Sequence, residues 1–163
     1  MERIACFEKV SAGQYLADAA DMEKEAAEAA YGAVRLPVRA TARSAGYDFF
    51  APYDIFLPAL GSAVVKTGVR AKMEDGWALF VYPRSGLGFR FGIGLANTVG
   101  VIDGDYCFSP NEGHIMIKLT NPTENSITLQ TGSAFAQGVF TPYGITADDC
   151  VETKRSGGFG STD

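Results

Sequence analysis

Two periodicities divide the chain. In SAGQYLADAADMEKEAAEAAYGAV, Tyr15, Ala19, Met22 and Ala26 recur at steps of four, three and four, which on a helical repeat makes one apolar face. Ala, Glu, Lys and Met favour helix, Ser11 is a suitable N-cap and Gly32 a suitable stop, so the spacing predicts one helix over residues 11–32 with its charged face in solvent. From Val34 onward the pattern becomes short apolar runs, SAVVKTGVRAKM, GWALFVYP, GHIMIKLTN, NSITLQTG and AFAQGVFTPYG, punctuated by Gly, Pro, Asn and Asp. Turn signals about every 8 to 12 residues predict an all-β barrel or sandwich. In ADDCVETKRSGGFGSTD the apolar pattern fades, and residues 150–163 are expected to be loosely held. No internal repeat or low-complexity linker interrupts the chain, so residues 1–163 are expected to form a single domain.

Composition narrows the function. Hydrophobic residues make up 47% of the 163, enough for the core of one globular domain. A net charge of −5 leaves no broad basic footprint for nucleic acid, although a few local cations suffice for a small phosphorylated ligand. Cys6, Cys107 and Cys150 form no metal-binding or redox spacing and read as reduced thiols. No stretch approaches the roughly 18 consecutive apolar residues of a membrane span, and MERIACFEKV lacks the apolar run of a signal peptide. The expectation is a cytoplasmic protein with neither nucleic acid nor membrane as partner.

Four polar stretches interrupt the β pattern. In SAGYDFFAP, Asp48 stands between aromatics and is either a turn or cap residue or a metal-linked carboxylate. In YPRSGLGFRFG, Arg84, Ser85 and the N–H groups around Gly86 either clasp an anion or form an ordinary turn. In LANTVGVIDGDYCF, Asn97 carries the donor and acceptor needed to read the edge of a base. Asp103 follows an apolar run and is expected to be partly desolvated, either as a general base or as a hairpin turn with Gly104 and Asp105. Tyr106 offers a flat ring for a sugar. In GSAFAQGVF, Gln137 is either a cross-strand partner or an amide reaching a ligand. The terminal KRSGGFGSTD combines glycines, hydroxyls and cations as a phosphate cradle does, but without the strand and helix of a P-loop; it is either a disordered tail or a mobile arm.

In order, these stretches resemble the five motifs of the trimeric deoxyuridine triphosphatase (dUTP nucleotidohydrolase, dUTPase) family, over roughly Leu36 to Thr162: AGYDFFAP the first, PRSGLG the second, NTVGVIDGDY the third, SAFAQGVF a weakened fourth and GGFGST the fifth. The resemblance implies a jelly-roll-like β-barrel, here with an extra N-terminal helix and a mobile C-terminal arm. It also implies a homotrimer with active sites shared between subunits, and Mg²⁺-dependent hydrolysis of dUTP to dUMP and pyrophosphate. By similarity, Asp103 would activate the water that attacks the α-phosphorus, and Asp48 would position Mg²⁺ through its water shell. Arg84, Ser85, Gly86 and Gln137 would contact phosphates. Asn97 and the neighbouring hairpin backbone would read uracil, and Tyr106 would pack under the deoxyribose. From the arm, Phe159 would stack on the base while Arg155, Ser161 and Thr162 hold phosphates.

Some positions depart from the family pattern. Ala134 stands where the fourth motif usually has arginine, with Arg90 or Lys154 as possible replacements, and Lys154, Arg155 and Ser156 occupy the ground of the fifth motif's usual arginine and glycine. CFSPNEGH lengthens the loop after Tyr106, and His114, the sole histidine, is expected to be structural. The rival readings are a dCTP deaminase of the same fold and a non-catalytic relative that binds nucleotide or protein.

Overall fold

In the computed structural model, which describes residues 2–153, the segment predicted as one helix is two: α1 (Ala12–Asp18) and α2 (Lys24–Ala33). Ser11 caps α1 as expected, its hydroxyl accepting from the Gln14 N–H at 3.1 Å. The break falls where tertiary contacts outweigh propensity: Asp18 is drawn to His114 and Asp21 to Lys66, and Glu23 opens α2 in extended backbone. The rotation moves Ala26 into solvent and puts Ala27, Ala30 and Val34 against the core. Gly32 lies inside α2, which closes at Val34.

The remainder of the described residues is mostly β, but their strands do not close into the predicted barrel. The strands hydrogen-bond into four separate antiparallel sheets. The largest orders β2 (Val38–Arg39), β3 (Tyr47–Phe50), β12 (Ala134–Pro142), β7 (Trp77–Pro83) and β9 (Gly100–Ile102). A second joins β5 (Ser62–Lys66), β10 (Met116–Thr120) and β8 (Gly94–Leu95). Two pairs complete the set: β4 (Ile55–Leu57) with β11 (Ile127–Leu129), and β6 (Val69–Met73) with β1 (Ala5–Lys9), a strand at the N-terminus that the sequence pattern did not signal.

Closure fails at corners where one apolar run serves two sheets. SAVVKTGVRAKM is β5 and β6, and between them Thr67 and Gly68 turn the chain out of one ladder into the other. Gly68 has φ +70, and a Cβ there would lie 2.5 Å from Val34 Cγ2, so only glycine fits under the helical pair. The core between the sheets is built on alternation: in β4 and β10 the residues facing inward, Ile55, Leu57, Ile117 and Leu119, are buried while Phe56 and Lys118 face out. No helix among the described residues is long and apolar enough to cross a membrane.

Candidate active site

The first polar set sits on one face of the large sheet. Register pairs Asp48 of β3 with Gln137 of β12, and Gln137 with Tyr82 of β7, so the three side chains share that face. Asp48 is therefore neither a turn nor a cap residue. Its carboxylate forms an ion pair with the Arg84 guanidinium at 3.3 Å, half-exposed on the arginine side. Gln137 donates from Nε2 to the Pro83 carbonyl at 3.3 Å. Gly46 permits this placement, because a Cβ there would come within 2.8 Å of Gln137 Oε1. The expected turn after Pro83 is instead the start of a short helix, α3 (Ser85–Phe91), with Arg84 as its N-cap and Ser85 and Gly86 in its first turn. The amides of that turn point out of the helix end beside Arg84.

Ala134 pairs with Phe50, two residues from Asp48 and on the same face, across a bulge. Over the Phe50 ring, 3.9 Å from its centroid, lies the Arg35 guanidinium. A cation thus stands over the ring of the residue that pairs with Ala134, supplied by a residue that sequence reasoning missed, because only the fold brings Arg35 to Phe50. Arg90 sits in the last turn of α3, and Lys154 lies outside the described residues.

The second set lines a cavity of about 580 Å³, whose wall includes Val81, Leu95, Asn97, Asp103, Tyr106 and Lys118. The volume suits a nucleotide-sized ligand. Asn97 lies in an exposed turn at the end of β8, where the Thr98 N–H donates to the Leu95 carbonyl at 3.0 Å. The alternative of a hairpin turn at Asp103, Gly104 and Asp105 is not met, since a 3₁₀ helix begins there; β8 pairs with β10 and β9 with β7, so residues 96–99 cross from one sheet to another. Asp103 follows β9 and opens a one-turn 3₁₀ helix (Gly104–Phe108). It is exposed in the single chain, contrary to the expected desolvation, because β9 is an edge strand covered on one side only. Tyr106 is buried to 5% exposure and lines the cavity. Its hydroxyl donates to the His114 carbonyl and accepts from Asn111 Nδ2, both at 2.9 Å. His114 is wholly buried with both ring nitrogens bonded, consistent with a structural role.

The two sets do not meet within one chain. Tyr82 belongs to the first face and its neighbour Val81 to the cavity wall, and successive strand residues point to opposite faces. Asp48 on β3 and the residues around β9 are also three strand spacings apart, about 14 Å. Among the described residues no group of three or more His, Cys, Asp or Glu is arranged to hold a metal ion. Arg155, Phe159, Ser161 and Thr162 lie outside the described residues.

Comparison with known proteins bears on what these sets serve. The deoxyuridine 5'-triphosphate nucleotidohydrolase of Lactococcus lactis subsp. lactis (strain IL1403) is 38% identical over 132 residues, covering 79% of this chain and 88% of that protein. The crystal structure of dUTPase from Streptococcus mutans superposes with a TM-score of 0.68 at 35% identity, covering 86% of this chain and 97% of that one. A dUTPase from phage phi11 of S. aureus, a protein that coordinates a structural Mg(II) ion, shares the fold at a TM-score of 0.62 and 21% identity, over 74% of this chain and 92% of its own. The sequence profile described as dUTPase matches residues 33–163, which takes in both polar sets and leaves the N-terminal strand and most of the helical pair outside it; the chain belongs to the dUTPase family.

Proposed function

We propose that the chain hydrolyses dUTP to dUMP and pyrophosphate as a homotrimer, in sites that each draw on more than one subunit. The observation that carries this reading is the division of the polar residues. The phosphate-type groups Asp48, Arg84 and Gln137 lie on one sheet face, and the base, sugar and water-activating groups Asn97, Tyr106 and Asp103 lie at a cavity on the other side. A nucleoside triphosphate needs both, and a symmetric assembly brings the face of one copy to the cavity of the next.

In such a site Asn97 pairs with the uracil edge and the Tyr106 ring packs under the deoxyribose. Asp103 takes the proton of the water that attacks the α-phosphorus, and a neighbouring copy would cover its exposed edge and strip its water shell. Arg84, the amides at Ser85 and Gly86, Gln137 and Arg35 stabilise the charge that develops on the phosphate chain. Arg155, Phe159, Ser161 and Thr162 complete the site from the C-terminal arm by family resemblance.

The residues present fit Mg²⁺ carried by the substrate rather than held by a protein cage, since among the described residues no group of three or more His, Cys, Asp or Glu could hold it and Asp48 is balanced by Arg84. Magnesium keeps most of its waters and takes its remaining ligands from phosphates, so Asp48 would hold it through water. When bound, the ion neutralises charge on the triphosphate. A cytoplasmic location belongs to the same reading.

The test is pyrophosphate release measured with dUTP, dCTP, dTTP and UTP in magnesium. Release from dUTP well above the other three is expected. Ammonia released from dCTP would favour the deaminase reading, and binding without turnover of any of the four would favour a non-catalytic relative.

A further inference from the structure

Tyr106 stands in a short 3₁₀ helix that packs against β6 and β7, and the irregular loop that follows supplies the bonds to its hydroxyl. The Tyr106 hydroxyl is bonded by Asn111 and to the carbonyl of His114, and Ser109 Oγ donates to the Tyr106 carbonyl at 2.6 Å. The loop itself is bent against preference at Glu112, whose φ is +57, beside Gly113, whose φ of +73 glycine adopts freely. A strained loop keeps such a shape only if its surroundings impose it.

Part of those surroundings lies outside the family profile. Ser11, at the start of α1, donates from its backbone N–H and its hydroxyl to the two carboxylate oxygens of Glu112, at 2.8 and 2.7 Å. At the other end of α1, Asp18 Oδ2 is 2.6 Å from His114 Nδ1. The Gly68 N–H donates to His114 Nε2 at 2.8 Å, so Nε2 is the unprotonated nitrogen and Nδ1 carries the proton given to Asp18. One helix therefore grips the loop at both of its ends, and the loop grips the ring.

We propose that α1, through Asp18 on His114 and Ser11 on Glu112, positions the Tyr106 ring and thereby sets how strongly the site rejects a ribose nucleotide in favour of the deoxyribose one. This rests on the reading of the cavity as the sugar site. A ring excludes an extra hydroxyl only if it cannot retreat, because rejection relies on a clash that a yielding wall removes. Asp18, Ser11 and Glu112 are positioning residues; none of them lines the cavity.

The experiment compares kcat and KM for dUTP and UTP in the full chain and in Asp18→Ala, Asp18→Asn and Glu112→Ala, with Ala30→Gly as a variant that weakens the buried face of α2 without touching the network. Asp18→Ala is expected to lower the dUTP-to-UTP ratio of kcat/KM about tenfold, mainly through better use of UTP. Asp18→Asn keeps an oxygen that accepts the Nδ1 proton and should restore the native ratio. Glu112→Ala should lower the ratio without disturbing His114, and decides the matter if Asp18→Ala does not fold. Ala30→Gly should lower the melting temperature and leave the ratio alone. Folded Asp18→Ala or Glu112→Ala with the native ratio, or an equal loss of ratio in Ala30→Gly, would overturn the proposal while leaving dUTP hydrolysis intact. If the native chain fails to hydrolyse dUTP, the reading of the site falls separately. Hydrogen exchange then decides the coupling: Asp18→Ala should speed exchange across residues 106–115, and unchanged exchange there would refute it.

Discussion

The sheet face around Asp48 and the cavity around Tyr106 carry similar polar chemistry on different supports. Asp48 and Gln137 are placed by strand register in the middle of a five-stranded sheet, so many ladder bonds fix them and their ion pair with Arg84 is local. Asp103 follows an edge strand and Tyr106 stands in a short 3₁₀ helix, and the loop that bonds the Tyr106 hydroxyl is tied to a helix about a hundred residues earlier in the chain. The face is held by its own ladders, and the Tyr106 side of the cavity draws in part on distant contacts. Substitutions on the face should therefore act on the binding and charge stabilisation of the phosphates, whereas those behind the cavity should change selectivity.

The largest effect should come from Asp103→Asn. Because the amide keeps the size of Asp103 and an oxygen that accepts hydrogen bonds, the variant should fold and melt close to the native protein. Because it removes the base, kcat on dUTP should fall about 10²-fold or more. Steady-state assay beside a melting curve checks both, and near-native turnover would remove Asp103 from the mechanism.

That asymmetry also explains what the sequence disclosed. Strands with clean alternation, such as MIKLT of β10, and the ordered motifs were legible because their signals are local. The break in the helix was not, since Asp18 and Asp21 are turned by His114 and Lys66, residues far along the chain. The exposure of Asp103 was misjudged for a related reason: an apolar run such as Val99 to Ile102 promises burial, but here it forms an edge strand that one chain leaves half-covered. Arg35 was invisible to motif reading because its place on Phe50 exists only in the fold. The separate sheets were missed because SAVVKTGVRAKM reads as one continuous β region until the positive φ at Gly68 is seen.

A pH series sharpens the comparison from the cavity side. Burial of the His114 ring, reinforced by Lys66 from β5, lowers its pKa below the ordinary 6.5, and Asp18 from α1 and Glu112 from the loop oppose the shift without reversing it. Between that lowered value and 6.5 the unfolded chain binds a proton that the folded chain does not. Stability should be fully present above about pH 6.5 and should decline as pH falls through the window below it. Protonation at Nε2 also breaks the bond from Gly68. Urea midpoints from pH 7.5 to 5 should fall, and the His114→Gln variant should flatten that part of the curve. An equal slope in both proteins would exclude His114 as its source. Carboxylates paired in the folded chain, Glu8 and Asp21 among them, add their own loss of stability only at lower pH.

The smallest expected effect belongs to Arg35→Ala on the face side. An exposed cation contributes modestly, so KM for dUTP should rise about two- to fivefold with kcat nearly unchanged. A change in the dUTP-to-UTP ratio instead would place Arg35 with the cavity rather than with the phosphates.

The central claim is that the face and the cavity work together only across subunits. Asp103→Asn damages the cavity set and Arg84→Ala the face set, and each variant alone should be nearly inactive on dUTP. The two should be unfolded together in equal amounts, refolded as mixed trimers and assayed for pyrophosphate release. If each site takes its cavity from one chain and its face from another, about a quarter of the sites receive both native halves, and roughly that fraction of native activity should return. A mixture no more active than its components would mean that each chain builds its whole site alone.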